Sequence, residues 1–155
     1  KKIPHILELE NVRSQHNIGA VIRTADAFCL QGVWLCGICC CPPNNEIHKT
    51  ALGAELTVDW RYFEHTLDAL KALQADGYTV YAIEQAHGST MLSNMQLPQN
   101  QKTAIIMGHE VFGVQQEVVD AANGCIEIPQ YGTKHSLNVS VTAGIVMYQL
   151  SNMLR

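Results

Sequence analysis

The chain has 155 residues, of which 47% are hydrophobic and only 15% charged, enough apolar material for one buried core and too much for a disordered polymer. The formal net charge of −4 argues, taken globally, against a nucleic-acid binder, because phosphate is neutralised by Lys and Arg. No apolar run approaches the roughly 20 residues of a membrane helix and the opening Lys1-Lys-Ile-Pro-His5 has no small-residue cleavage pattern, so a soluble cytoplasmic protein is expected, and the sparse charge favours a homo-oligomer.

Residues 3–12 hold a compact apolar strand, His5-Ile-Leu-Glu-Leu9, and a polar turn follows over 11–17. From there Ile18, Val21, Ile22, Ala25, Phe28 and Cys29 recur at helical spacing as one core-facing stripe. Arg23 lies about 150° from the middle of that stripe, at about 100° per residue. Its face also carries Gly19, Ala20 and Ala27, small enough to admit a ligand or a second chain. A solvated arginine paired with Asp26 at i+3 is the plain alternative.

Gly32-Val-Trp-Leu-Cys-Gly37 reads as a buried strand from its continuous apolar character. Pro42-Pro43 opens a loop, 46–53 is short and helical, and 57–63 is a strand. An amphipathic helix over 65–75 turns Leu67, Leu70 and Leu73 inward, and Tyr78-Thr-Val-Tyr-Ala-Ile83 is a strand ending in Glu84-Gln85. Residues 86–101 are punctuated by Gly, Pro and Asn, a loop with at most a short helix. Thr103-Ala-Ile-Ile-Met107 is a strand that delivers Gly108-His109-Glu110 and then Gly113. A short helix over 115–122, a last strand over 125–128 and a last helix over 138–154 complete the chain.

The junction between that last strand and helix is crowded with polar donors. Pro129 ends the strand, Gly132 permits a turn, and Thr133, Lys134, His135, Ser136 and Asn138 precede the helix. Asn138 suits the N-cap, which points the free N–H groups of the first turn at whatever occupies the loop. Such junctions are where open α/β sheets bind ligands, although an ordinary polar loop with a capped helix fits equally well. The helix itself is apolar on two sides, with Val139, Ala143, Val146, Leu150 and Met153 on one and Val141, Ile145 and Tyr148 on another. A dimer partner is a simple way to bury both.

Alternating strands and helices make one α/β domain, residues 1–155, with a mostly parallel sheet flanked by helices. Neither a GxGxxG fingerprint nor a Walker loop is present in the sequence. Of six cysteines, four fall in Cys36-Gly-Ile-Cys39-Cys40-Cys41. With Cys36 inside a strand and no second well-spaced Cys/His pair nearby, these read as reduced structural thiols, and no metal is expected. A thiol or metal protein built on them is the remote alternative.

Three segments in this order resemble the TrmH/SpoU-type branch of the SPOUT methyltransferases: Asn17-Ile-Gly-Ala-Val-Ile-Arg-Thr-Ala-Asp-Ala-Phe28, Ile105-Ile-Met-Gly-His-Glu-Val-Phe-Gly113, and Ile128-Pro-Gln-Tyr-Gly-Thr-Lys-His-Ser-Leu-Asn-Val-Ser140. The resemblance implies transfer of methyl from S-adenosylmethionine to a ribose 2′-hydroxyl of tRNA or rRNA, with RNA and not DNA as partner. It implies a C-terminal trefoil knot, where general topology rules give an unknotted doubly wound sheet, and a homodimer with the active site at the interface. By the same resemblance Arg23 is the catalytic arginine, with Asn17, Glu110, Ser136 and Asn138 as its polar company. The cofactor site is then built from Ile83, Glu84, Gln85, Gly108, Ile128, Ser136, Leu137, Asn138 and Val139. Val111 departs from a common glycine and His109 from a smaller polar residue. The RNA-binding extension that many relatives carry has no counterpart in this sequence, leaving a binding dimer with little catalysis as the alternative. Arg13, Arg23 and Lys134 supply positive charge locally, and His16, His109 and His135 are the titratable groups near the site.

Overall fold

The computed structural model describes residues 1–134 and 136–154. In chain order it contains β1 (Ile3–Glu10), α1 (Gln15–Ala27), β2 (Leu30–Cys36), α2 (Asn45–Ala51), β3 (Trp60–Phe63), α3 (Thr66–Ala75), β4 (Thr79–Ile83), β5 (Thr90–Met91), β6 (Thr103–Met107), α4 (Gln116–Ala121), β7 (Gly124–Glu127) and α5 (Val139–Asn152). The strands form one sheet in the order β3-β2-β1-β6-β4-β7-β5, parallel at every pairing. A parallel sheet needs cover on both faces. One face packs Leu7, Leu9 and Ile105 against the apolar stripes of α1 and α5 and against Ile47 and Ala51 of α2. The other packs Ile6, Val80 and Ile106 against Leu70 and Leu73 of α3 and Val118 of α4.

Every residue of β6 is buried, which explains its unbroken apolar sequence. β1, its neighbour, is buried from His5 to Glu10 and so encloses three ionisable side chains. His5 Nε2, both carboxylate oxygens of Glu8 and Glu10 Oε2 have no hydrogen-bond partner among the described residues. Burial holds His5 down to about 4. Burial first, and then the charge of Glu10, raises Glu8 well above the ordinary carboxylate value.

Several boundaries differ from the sequence reading for identifiable reasons. α1 begins at Gln15, not after Asn17, because Ser14 caps it by accepting the Asn17 N–H. Gly19 does not leave a face open: it is buried, and a Cβ there would collide with the Thr50 hydroxyl and the Ile47 carbonyl of α2. Asp26 accepts from the Thr57 hydroxyl at 3.0 Å and forms no ion pair with Arg23. Residues 54–58 turn into β3, which is therefore shorter than expected. Within 86–101 lies a two-residue strand, β5, as well as a 3-10 turn.

Cys36 is fully buried at the end of β2, and burial, with Glu8 adding to it, pushes its thiol far up, which makes it inert. Among the described residues no group of three or more His, Cys, Asp or Glu side chains is arranged to hold a metal ion, and no helix is long and apolar enough to cross a membrane.

The two buried groups of β1 carry opposite pH signatures. The folded chain keeps on Glu8 a proton that the unfolded chain releases near pH 4.5, so that contribution declines as pH rises above 4.5. It refuses on His5 a proton that the unfolded chain takes up near 6.5, so about 3 kcal/mol is lost between pH 6.5 and about 4. Glu8→Gln, which has no such proton to lose, is therefore expected to gain on the parent as pH rises above 4.5, measured by urea denaturation at successive pH values.

Candidate functional site

Because β6, β4 and β7 are adjacent and parallel, the backbone leaves all three at one edge of the sheet. Their exit loops enclose a cavity of about 460 Å³, within the range of small-molecule sites. β4 supplies Ile83, Glu84 and Gln85, β6 supplies Met107 to Gly113, and β7 supplies Ile126, Glu127 and Ile128. Ser136, Leu137, Val139 and Thr142 close it from the start of α5.

The loop after β6 is held by close backbone approach. A Cβ on Gly108 would collide with the backbone of Gly113 and Val114. Gly113 itself has φ +68° and lies against the Glu84 carboxylate, so glycine is required there for both reasons. Residues 109–113 close into a turn by two backbone bonds, Gly113 N–H to the His109 carbonyl at 2.8 Å and His109 N–H to the Gly113 carbonyl at 3.2 Å. Glu84 Oε2 accepts the Val114 N–H at 2.9 Å. Glu110, exposed at the turn, accepts from Asn17 Nδ2 at 2.9 Å across 93 positions of sequence.

Eight of the nine residues expected at a cofactor site, namely Ile83, Glu84, Gln85, Gly108, Ile128, Ser136, Leu137 and Val139, line this cavity. Asn138 does not; its Oδ1 caps α5 by accepting the N–H groups of Ser140 at 2.8 Å and Val141 at 3.4 Å. Asn17 and Glu110 meet directly. Arg23 lines neither this cavity nor a smaller neighbouring one and stands exposed on α1. The smaller cavity, about 270 Å³, is lined by Asn11, Arg13 and Gln115 and shares His109, Phe112 and Gly113 with the first. His16 is occupied elsewhere, 2.9 Å from Glu46 on α2, and His135 lies outside the described residues.

Glu127 and Thr142 were not singled out from the sequence. Thr142 follows Asn138 by one helical turn on the same face, a spacing that could have flagged it. Glu127 is the last residue of β7 and accepts from the Ser89 hydroxyl at 2.8 Å.

The lining contains Glu84, Glu110 and Glu127 and, among the described residues, no Lys or Arg. None of the three carboxylates forms an ion pair within the described residues. Such a field attracts a cation and repels phosphate. A sulfonium-bearing adenosyl ligand fits this donor set: apolar Ile83, Ile128 and Leu137 for a flat ring, loop amides and carbonyls for its edge, and carboxylates for the positive charge.

The model of the SpoU rRNA Methylase family matches residues 4–148. A tRNA (guanosine(18)-2′-O)-methyltransferase of Thermus thermophilus is 32% identical over 142 residues, covering 91% of this chain and 71% of the relative. One of Borreliella burgdorferi is 31% identical over 151 residues, 95% of this chain and 66% of the relative. Among solved structures, an AdoMet-bound rRNA methyltransferase from Sinorhizobium meliloti superposes with a TM-score of 0.89 at 28% identity, covering 97% of this chain and 57% of that one. A structure concerned with 2-OH methylation of C/U34 on tRNA superposes with a TM-score of 0.83 at 25% identity, and there the coverage is 96% and 95%. The chain thus spans less than two thirds of the Borreliella and Sinorhizobium proteins and nearly the whole of the last.

Gly108→Ala is expected to destabilise the chain by about 1–3 kcal/mol through overpacking against Gly113. Urea denaturation measures it, and an unchanged midpoint would remove the close approach as the reason for glycine at 108.

Proposed function

The chain belongs to the SpoU rRNA methylase family, and from that premise we propose that it is an S-adenosylmethionine-dependent methyltransferase acting on a ribose 2′-hydroxyl of tRNA or rRNA. The observation that carries the reading is the carboxylate-lined cavity at the β6-β4-β7 edge, without Lys or Arg among the described residues, which suits a sulfonium. Names of relatives support RNA ribose as the acceptor, and the near-complete overlap with the structure concerned with tRNA favours tRNA first. On this reading residues 1–155 form the catalytic domain in the cytoplasm, with the exit loops of the last strands threaded in the family's trefoil knot.

When bound, the cofactor supplies a methyl group on sulfur, open to in-line attack. The chain's own residues must align the ribose oxygen and stabilise its developing negative charge. Arg23 is suited to the second task and poor as a base, since its guanidinium stays protonated. It orients the neighbouring RNA phosphate as well, and the ribose proton leaves to phosphate or water. Asn17 and Glu110, already bonded to each other, tie the start of α1 to the loop at the cavity mouth. Ser136 lines the cavity with a hydroxyl, and Asn138 holds the first turn of α5 in place.

Arg23 completes a site only from a second copy of the chain. Support comes from α5, where Val141, Ile145 and Tyr148 remain 50%, 40% and 57% exposed as one stripe at i, i+4 and i+7. Tyr148 meets edge-on, at 6.0 Å, the ring of Phe28, the cap residue that follows α1, so the stripe continues to the end of the helix that bears Arg23. A homodimer that covers this face would carry one protomer's Arg23 toward its partner's cavity.

Arg23→Ala is expected to keep cofactor affinity and lose turnover by on the order of 10²–10³, and Arg23→Lys fails to restore it. Calorimetry that found cofactor binding lost in Arg23→Ala would overturn the assignment. Incubation of the parent with methyl-labelled cofactor and total RNA should label RNA; cofactor binding without labelling would leave a binding protein instead. Ile145→Asp is expected to yield monomers by light scattering, with turnover lost alongside.

A further inference from the structure

We propose that His109 is the positioning residue of the cofactor loop, its neutral imidazole pinning the 109–113 turn through Nδ1, and that it does not accept the proton from the substrate. The inference rests on the methyltransferase reading for its functional consequence and on geometry alone for its structural one. Nδ1 of His109 accepts two backbone N–H groups of its own turn, from Val111 at 3.0 Å and from Phe112 at 3.2 Å. A ring nitrogen that accepts carries no proton, so the neutral ring has its proton on Nε2.

Both nitrogens are thereby assigned. Nε2 already holds a hydrogen and cannot take another, and Nδ1 can take one only by giving up two hydrogen bonds and facing two donors with a third. While the turn is formed, His109 has no basic lone pair to offer the ribose hydroxyl. It also leaves the imidazole able to donate from Nε2 toward a ligand.

The same geometry makes the imidazole the inner support of a turn that meets Asn17, Glu84 and Gly108. Its ring lies 4.9 Å from that of Phe112, tilted by 33°, while Phe112 is 83% exposed. His109, Phe112 and Gly113 line both cavities. Glu110 sits within the turn, and its bond to Asn17 depends on the turn's shape. The charged groups that face the turn are Glu110 in it, Arg13 across the smaller cavity, Glu84 against Gly113, and Glu10, which accepts the Gln115 N–H at 2.8 Å.

Asparagine at this position reaches the amide two residues on through Oδ1, the ordinary Asx turn. Alanine offers no acceptor at all.

The test measures S-adenosylmethionine affinity by calorimetry, with turnover on RNA, for the parent, His109→Ala and His109→Asn. His109→Ala should bind on the order of tenfold more weakly, the equivalent of the two lost bonds, and His109→Asn should restore most of that affinity and turnover. An Asn variant that binds cofactor normally but does not turn over would make His109 the base and overturn the proposal, as would an Ala variant that binds cofactor as the parent does. Nitrogen-15 NMR of the parent decides the tautomer without any ligand: a proton on Nε2 is expected, and one on Nδ1 refutes the proposal. A parent that binds no cofactor would instead sink the methyltransferase reading and leave the NMR result to decide the turn.

Discussion

The pairing of β1 with β6 is the constraint from which the site follows. Residues 5–9 lie beside 103–107 in parallel register, Leu7 opposite Ile105 and Leu9 opposite Met107. Closing a loop of that length costs chain entropy, offset here by two strands buried on both faces. With β1 fixed next to β6, the turn into α1 emerges next to the loop after β6. That adjacency lets Asn17 reach Glu110. It also lets Arg13 share a cavity with His109. Were β1 to pair elsewhere, the first and second functional segments would have no reason to meet.

Electrostatics divide along the same line. The chain is acidic overall, and three of its carboxylates gather where β4, β6 and β7 end. Basic side chains lie elsewhere, with Arg13 at the smaller cavity and Arg23 exposed on α1. On the proposed reading, a cationic cofactor and a polyanionic substrate would meet different fields. A net charge of −4 describes neither field.

Legibility followed from how local each signal is. The apolar run of β6 and the Asn138 cap of α5 are encoded within a few residues and were readable. Ser14 was equally local, but its polar company up to Asn17 read as a turn and hid the first turn of α1. Gly19 could not be assigned from its own helix, because what fills the space beside it is Thr50 and Ile47 of α2. β5, at two residues, has no periodicity to detect. Glu8 and Glu10 follow the alternation of a half-exposed strand, and only the central place of β1 puts them indoors. For the site, the resemblance supplied eight lining residues that periodicity could not, whereas Glu127 and the acceptor role of His109 needed coordinates.

Two carboxylates, buried Glu10 and half-buried Glu84, are part of the site's rigidity. Glu84 at the end of β4 takes the N–H of Val114, and Glu10 at the end of β1 takes the N–H of Gln115. β4 and β1 flank β6 on either side, so the loop that leaves β6 is fastened at two consecutive amides to both neighbouring strands. Hydrogen bonds to an ionised acceptor are stronger than neutral ones. At its near end the loop is fixed by the contact of Gly108 with Gly113. Between the two anchors only residues 109–112 are free to vary in shape without disturbing the sheet. His109 stands at the start of this stretch, and a histidine that accepts the N–H groups of Val111 and Phe112 sets the shape of the turn from within it.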